Sequence, residues 1–157
     1  MGWLEALADW PVAEALRASF YAYPLVNVAH ILGFILLVGG IAPVDLRLLG
    51  AWRSIPLTAF ARVLEPMAAV GLVLAVGAGF LLFSVKPEEY AANTPFLIKV
   101  GLVAAGTANA LVQRFSAGWK EAVRGGPVPA AVKARAVLSL AIWLGALTAG
   151  RFIAFLD

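Results

Sequence analysis

Four runs of this chain are each long and apolar enough to cross a bilayer, and they leave few alternatives for the fold. A helix needs about 20 mostly apolar residues to span the hydrocarbon core. Backbone placed in lipid must also satisfy its own hydrogen bonds, which favours helices. The runs lie at about 24–42, 63–85, 94–112 and 134–155. The second is embedded in the longer "IPLTAFARVLEPMAAVGLVLAVGAGFLLFSV", whose start, Ile55 to about Arg62, is expected at the interface. Between the runs, "APVDLRLLGAWRS", "KPEEYAANTP" and "RFSAGWKEAVRGGPVPAAVKAR" carry the Pro, Gly and charge of connections. Hydrophobic residues make up 62% of the chain and charged ones 13%, against about half and about a quarter in soluble domains. The expected fold is all-α: an integral membrane four-helix bundle forming one domain over residues 1–157.

Charge orients the bundle. Arg47, Arg53, Arg62, Arg114, Lys120, Arg124, Lys133 and Arg135 sit in or beside the first and third connections. The N-terminus, the middle connection and the C-terminus instead carry Glu5, Asp9, Glu14, Glu88, Glu89 and Asp157. Under the positive-inside rule the basic connections face the cytoplasm, and both termini lie on the non-cytoplasmic side. The expected location is a bacterial inner membrane. The basic residues follow this topology and do not point to a nucleic-acid partner; the partner expected first is the lipid bilayer.

Residues 1–22 form a separate feature. Trp3, Leu4, Leu7 and Trp10 can share one apolar face, with Glu5 and Asp9 elsewhere. This predicts a short amphipathic helix on the interface, with Pro11 as a break or the first residue of a second short helix. A lid over a site on that side is the sharper alternative. The segment has no basic stretch before an apolar core, so it does not read as a cleavable signal.

The chain's single histidine, His30, lies in the first span, six residues beyond Pro24, or about 9 Å along a helix. Lys99 enters the third span from the same side, four residues after Pro95, about 6 Å in. Arg151 is six residues before Asp157, about 9 Å from the end of the fourth span. Asn27 precedes His30 by one turn. Each alone reads as a core polar residue or a snorkelling cation. Together they place three cationic or potentially cationic side chains in one layer without a carboxylate, which predicts an anionic or metal-bearing ligand.

At the basic end, Arg62 and Glu65 are expected to pair along one helix, and Asp45 with an arginine on the facing helix. In the third span Lys99, Gly106 and Gln113 recur at seven-residue spacing with Asn109 between them, which marks the inward stripe. Gly71/Ala75, Gly145/Ala149 and Ala146/Gly150 read as close-packing positions.

The donor set limits the ligand. With no cysteine and one histidine, the layer lacks the three or four protein ligands of a zinc or copper site. A heme needs one histidine, and Lys99 and Arg151 can neutralise its propionates. "YPLVNVAHILGFILLVGGIAPVDLRLLG" followed by "TPFLIKVGLVAAGTANALVQRF" resembles an uncharacterised family of small four-helix bacterial membrane proteins. That family is itself distantly similar to the HemJ-type protoporphyrinogen IX oxidase and the CopD membrane domain. The likeness extends over nearly the whole chain, including "GRFIAFL". It implies heme b on His30 and a role for Lys99 beside the tetrapyrrole, and if the chain is an enzyme, an oxidoreductase. The aromatic-rich Pro-Arg-Leu segment of the HemJ-type proteins is replaced here by "GGIAPVDLRLLG", so porphyrinogen oxidation does not transfer with the fold. Two other readings stand beside heme binding: a cofactor-free site for a small anion or lipid headgroup, and a structural subunit of a homo-oligomer or larger membrane complex.

Overall fold

The computed structural model describes residues 2–153 and Phe155; Asp157, the reference for the depth of Arg151, lies outside the described residues. Eight helices are present among them: α1 (Trp3–Ala8), α2 (Pro11–Ala18), α3 (Ala22–Leu48), α4 (Leu57–Val85), α5 (Pro87–Ala92), α6 (Thr94–Phe115), α7 (Ala117–Val123) and α8 (Ala130–Phe152). Four of them, α3, α4, α6 and α8, are long and apolar enough to cross a membrane. The chain is an all-α membrane protein. Helix α4 already begins at Leu57, so the stretch expected at the interface is the first turns of the same helix.

The breaks between helices have local causes. After α3 the backbone turns through Gly50 (φ 111°) and Trp52 (φ 46°), left-handed conformations that end a helix and favour glycine. Asn93 caps α6 by accepting from the Phe96 N–H at 2.9 Å, and Ser116 caps α7 from the Trp119 N–H at 3.2 Å. Both satisfy amide groups that a helix start leaves without partners.

Helices α3 and α4 pack along each other's length, α6 packs on α8, and α8 also touches α3. Helix α6 makes no comparable backbone approach to α3 or α4 among the described residues. The bundle is therefore two helix pairs joined through α8, with a gap between α6 and the α3–α4 pair. Glycine sets the tightness of the first pair. A Cβ on Gly40 would sit 2.7 Å from the Leu64 carbonyl oxygen, and Gly33 and Gly71 lie against the backbones of Ala75 and Leu37. Gly71 and Ala75 are thus at the contact expected for them, and Gly145 lies against Leu102 of α6. Such approach is what small residues provide between membrane helices.

The core has two parts. One, at the basic end, gathers Val44, Leu48, Ala61, Trp119 and Val132; the other, nearer the middle, gathers Phe34, Leu37, Ala68, Trp143 and Ala146. Large apolar side chains such as Val63, Val73, Leu97 and Val112 are exposed on the outer faces, as a lipid-facing surface requires.

The N-terminal segment is two short helices, with Pro11 opening the second, one of the two forms expected for it. Pro11 occupies the first turn of α2, where its missing N–H costs nothing. Ala13 and Leu16 of α2 are buried, and α2 packs on α3 and α4. Arg17 donates to the Val85 carbonyl at 3.0 Å and also to the carbonyl of Ala8. The segment is thereby fastened to the end of α4.

Candidate functional site

His30 and Lys99 meet across the gap between α3 and α6. Lys99 Nζ lies 3.1 Å from His30 Nε2, and His30 Nδ1 lies 2.7 Å from the Ala75 carbonyl oxygen on α4. A carbonyl can only accept and an ammonium can only donate. The Nδ1–H therefore donates to Ala75, and the Nε2 lone pair accepts from Lys99. Both partners fit only the neutral ring with its proton on Nδ1.

Two glycines make the contact sterically feasible. In a helix the Ala75 carbonyl points towards residue 79, four positions on, and a side chain there would cover it. That residue is Gly79, and a Cβ on it would stand 3.0 Å from His30 Cε1 and 3.1 Å from Nδ1. Gly150 of α8 does the same for the lysine: its Cβ would lie 3.1 Å from Lys99 Nζ and 3.3 Å from Cε. Phe34 completes the site. Its ring lies 4.6 Å from Lys99 Nζ and meets the imidazole edge-on at 5.3 Å between centroids, so the cation rests on a π face.

The other two residues of the expected layer are not brought into this contact. Arg151 is exposed, with its guanidinium carbon 4.5 Å from the centroid of the Phe155 ring. Asn27 is exposed on α3. Gly79, Gly150 and Phe34 are the members that the layer argument missed.

The inward stripe of α6 is realised residue by residue. Lys99 reaches His30, and Gly106 packs against Trp143. Asn109 Nδ2 donates to the Arg135 carbonyl at 3.1 Å, and Gln113 Nε2 to the Val132 carbonyl at 3.0 Å. Polar side chains thus fasten α6 to the backbone of α8.

The basic end differs from the expected pairing. Glu65 accepts from Arg114 of α6, and no pair with Arg62 forms among the described residues. A bridge across the gap brings the carboxylate to a cation on the facing helix, and Arg62 is left exposed. Asp45 is buried without an arginine partner among the described residues; Ser139 of α8 is the polar side chain beside its carboxylate.

No group of three or more His, Cys, Asp or Glu side chains suitable for a metal ion occurs among the described residues. His30 is the only imidazole in the chain, and its Nε2 is in contact with Lys99. With Nδ1–H anchored, Nε2 is the ring nitrogen that could hold a ligand, and the Lys99 ammonium is a group that could pair with a carboxylate. Comparison with known proteins returns no family model, no curated protein and no solved structure that this chain matches.

Proposed function

We propose that this chain is a heme-binding membrane protein with His30 Nε2 as the axial ligand and electron transfer or a tetrapyrrole-linked oxidation as its activity class. The observation that carries the reading is the anchoring of the imidazole. Its Nδ1–H is held by the Ala75 carbonyl at 2.7 Å, and its other nitrogen faces only an exchangeable cation, Lys99. Ligation requires Lys99 to leave Nε2, and the freed ammonium is then available to a propionate. When bound, heme supplies a one-electron couple tuned by its axial ligand. The chain's own residues orient the ring, exclude solvent through Phe34 and the α3–α4 contact, and offer one cation to the porphyrin's acid groups. The same reading places the basic end in the cytoplasm of a bacterial cell and both termini outside.

The test is the visible spectrum of protein purified in detergent from heme-supplemented cells, wild type beside His30→Ala and Lys99→Met. The expected result is a Soret band in the wild type that is lost in His30→Ala and shifted or weakened in Lys99→Met. A colourless wild type after heme titration overturns the reading. A Soret band that survives His30→Ala overturns the ligand assignment.

A cofactor-free anion site is favoured by one observation: among the described residues no carboxylate pairs with Lys99. Under that reading the wild type stays colourless, and small anions raise its thermal stability in a way that Lys99→Met abolishes.

A further inference from the structure

The wedge between the two helix pairs widens at the basic end into a cavity of about 900 Å³, bounded by α3, α4, α6, α7 and α8. That volume lies within the roughly 300–1,000 Å³ of ligand sites. Its deeper wall is apolar, formed by Leu37, Ile41, Leu72 and Trp143. Because α4 and α6 do not pack together, it opens sideways between them, where the exposed Leu111 and Phe115 mark the lipid-facing rim. An acyl chain entering through this gap passes beside the Glu65–Arg114 ion pair that bridges it.

Two buried polar atoms in the wall lack partners. Asp45 is 6% exposed and Trp143 2%, and among the described residues neither the Asp45 Oδ2 nor the Trp143 Nε1–H has a hydrogen-bond partner. An unmet buried donor or acceptor costs about 1–3 kcal/mol, and an intramembrane carboxylate marks a functional position more often than a structural one. Both residues line the same cavity, as does Ser139, one helical turn before Trp143 on α8 and beside Asp45. An acceptor and a donor in the wall of one cavity are groups that a hydroxyl can satisfy, since it both donates and accepts.

The rim carries the opposite charge. Arg62, Lys120 and Arg124 line the cavity and are exposed, and none has a carboxylate partner among the described residues. Unpaired cations at the mouth of an apolar cavity between membrane helices complement a phosphate-bearing headgroup.

We propose that this cavity binds an acidic phospholipid with a hydroxyl-bearing headgroup. Its acyl chains lie along Leu37, Ile41 and Leu72, its phosphate among Arg62, Lys120 and Arg124, and its hydroxyl between Asp45 and Trp143. The site is separate from His30 and does not depend on heme.

The full chain in detergent, titrated with dioleoyl phosphatidylglycerol, dioleoyl phosphatidylcholine or glycerol phosphate and read by native mass spectrometry and thermal unfolding, tests this. Phosphatidylglycerol has both a net negative charge and free hydroxyls; phosphatidylcholine, whose phosphate is balanced by its own quaternary ammonium, has neither. The expected result is phosphatidylglycerol retained about tenfold more tightly than phosphatidylcholine, with no adduct from glycerol phosphate. The exposed double variant Arg62→Gln/Arg124→Gln should fold normally and lose most of that preference. Asp45→Asn should unfold no earlier than the wild type without lipid, and should gain less from phosphatidylglycerol. Equal retention of the two lipids overturns the proposal, as does a glycerol phosphate adduct that displaces phosphatidylglycerol. An Asp45→Asn protein that unfolds early yet keeps its full gain from phosphatidylglycerol shows a structural carboxylate, and also overturns it.

Discussion

Lys99 Nζ stands 3.1 Å from His30 Nε2 and bridges a gap that the backbones of α3 and α6 do not close. Each side chain is held separately, the imidazole by the Ala75 carbonyl and the lysine over Phe34. The hydrogen bond between them is therefore expected to couple the two helix pairs. A double-mutant cycle of His30→Leu and Lys99→Met, read by unfolding in mixed micelles, should give a coupling of about 0.5–2 kcal/mol, the range for hydrogen bonds between membrane helices. Strict additivity would show that the contact carries no energy.

The tautomer can be read directly, because the chain has one histidine and its ring nitrogens give unambiguous 15N signals. The wild type should show a proton on Nδ1 and a lone pair on Nε2. Gly79→Val places methyl groups where the imidazole now lies, since even a Cβ at Gly79 comes within 3.1 Å of Nδ1. That variant should lose the Nδ1–H signature, while Gly77→Val, with nothing within 4 Å of its Cβ position, should keep it.

How far the sequence discloses this site depends on what kind of information each residue carries. The spans are legible because apolar composition over about 20 residues is a one-dimensional property. The shared depth of His30 and Lys99 follows from counting along a helix of known rise. Direction around the helix does not follow. Helix α3 is apolar on every side, so no stripe tells which way Asn27 faces, and the structure leaves it exposed. Arg151 has the right depth, but its guanidinium rests on Phe155 just past the end of α8, a local contact that depth does not govern. Gly79 and Gly150 sit among other glycines in the same spans, and only the packed partner distinguishes a glycine that admits a side chain from one that does not. The pairing of Glu65 with Arg114 instead of Arg62 is likewise tertiary, since local spacing favours the intrahelical pair.

Adjacent glycines in α3 should respond in opposite ways. A Cβ at Gly40 would lie 2.7 Å from the Leu64 carbonyl oxygen and 2.8 Å from the Ala68 Cβ, whereas Gly39 has nothing within 4 Å. Gly40→Ala must push α3 and α4 apart and should cost about 1–3 kcal/mol, as overpacking does. Gly39→Ala removes a flexible residue from a helix interior and should be neutral or stabilising by up to about 1 kcal/mol. Unfolding of the two variants in mixed micelles checks both signs.

At the basic end, the ion pair between Glu65 and Arg114 is the tie between α4 and α6 across the cavity mouth. The arginine side chain is 58% exposed, so solvent screening holds the pair's contribution to stability to at most about 1 kcal/mol. Its effect should appear in geometry instead. The absence of cysteine allows spin labels at Val63→Cys and Leu111→Cys, both exposed positions, without further changes to the chain. Glu65→Gln should broaden the distance distribution between them towards longer values while barely altering thermal unfolding. The reversed pair, Glu65→Arg with Arg114→Glu, should narrow it again. A distribution unchanged by Glu65→Gln would mean that the fastening of α6 to α8 by Asn109 and Gln113 sets the width of the gap without help from the ion pair.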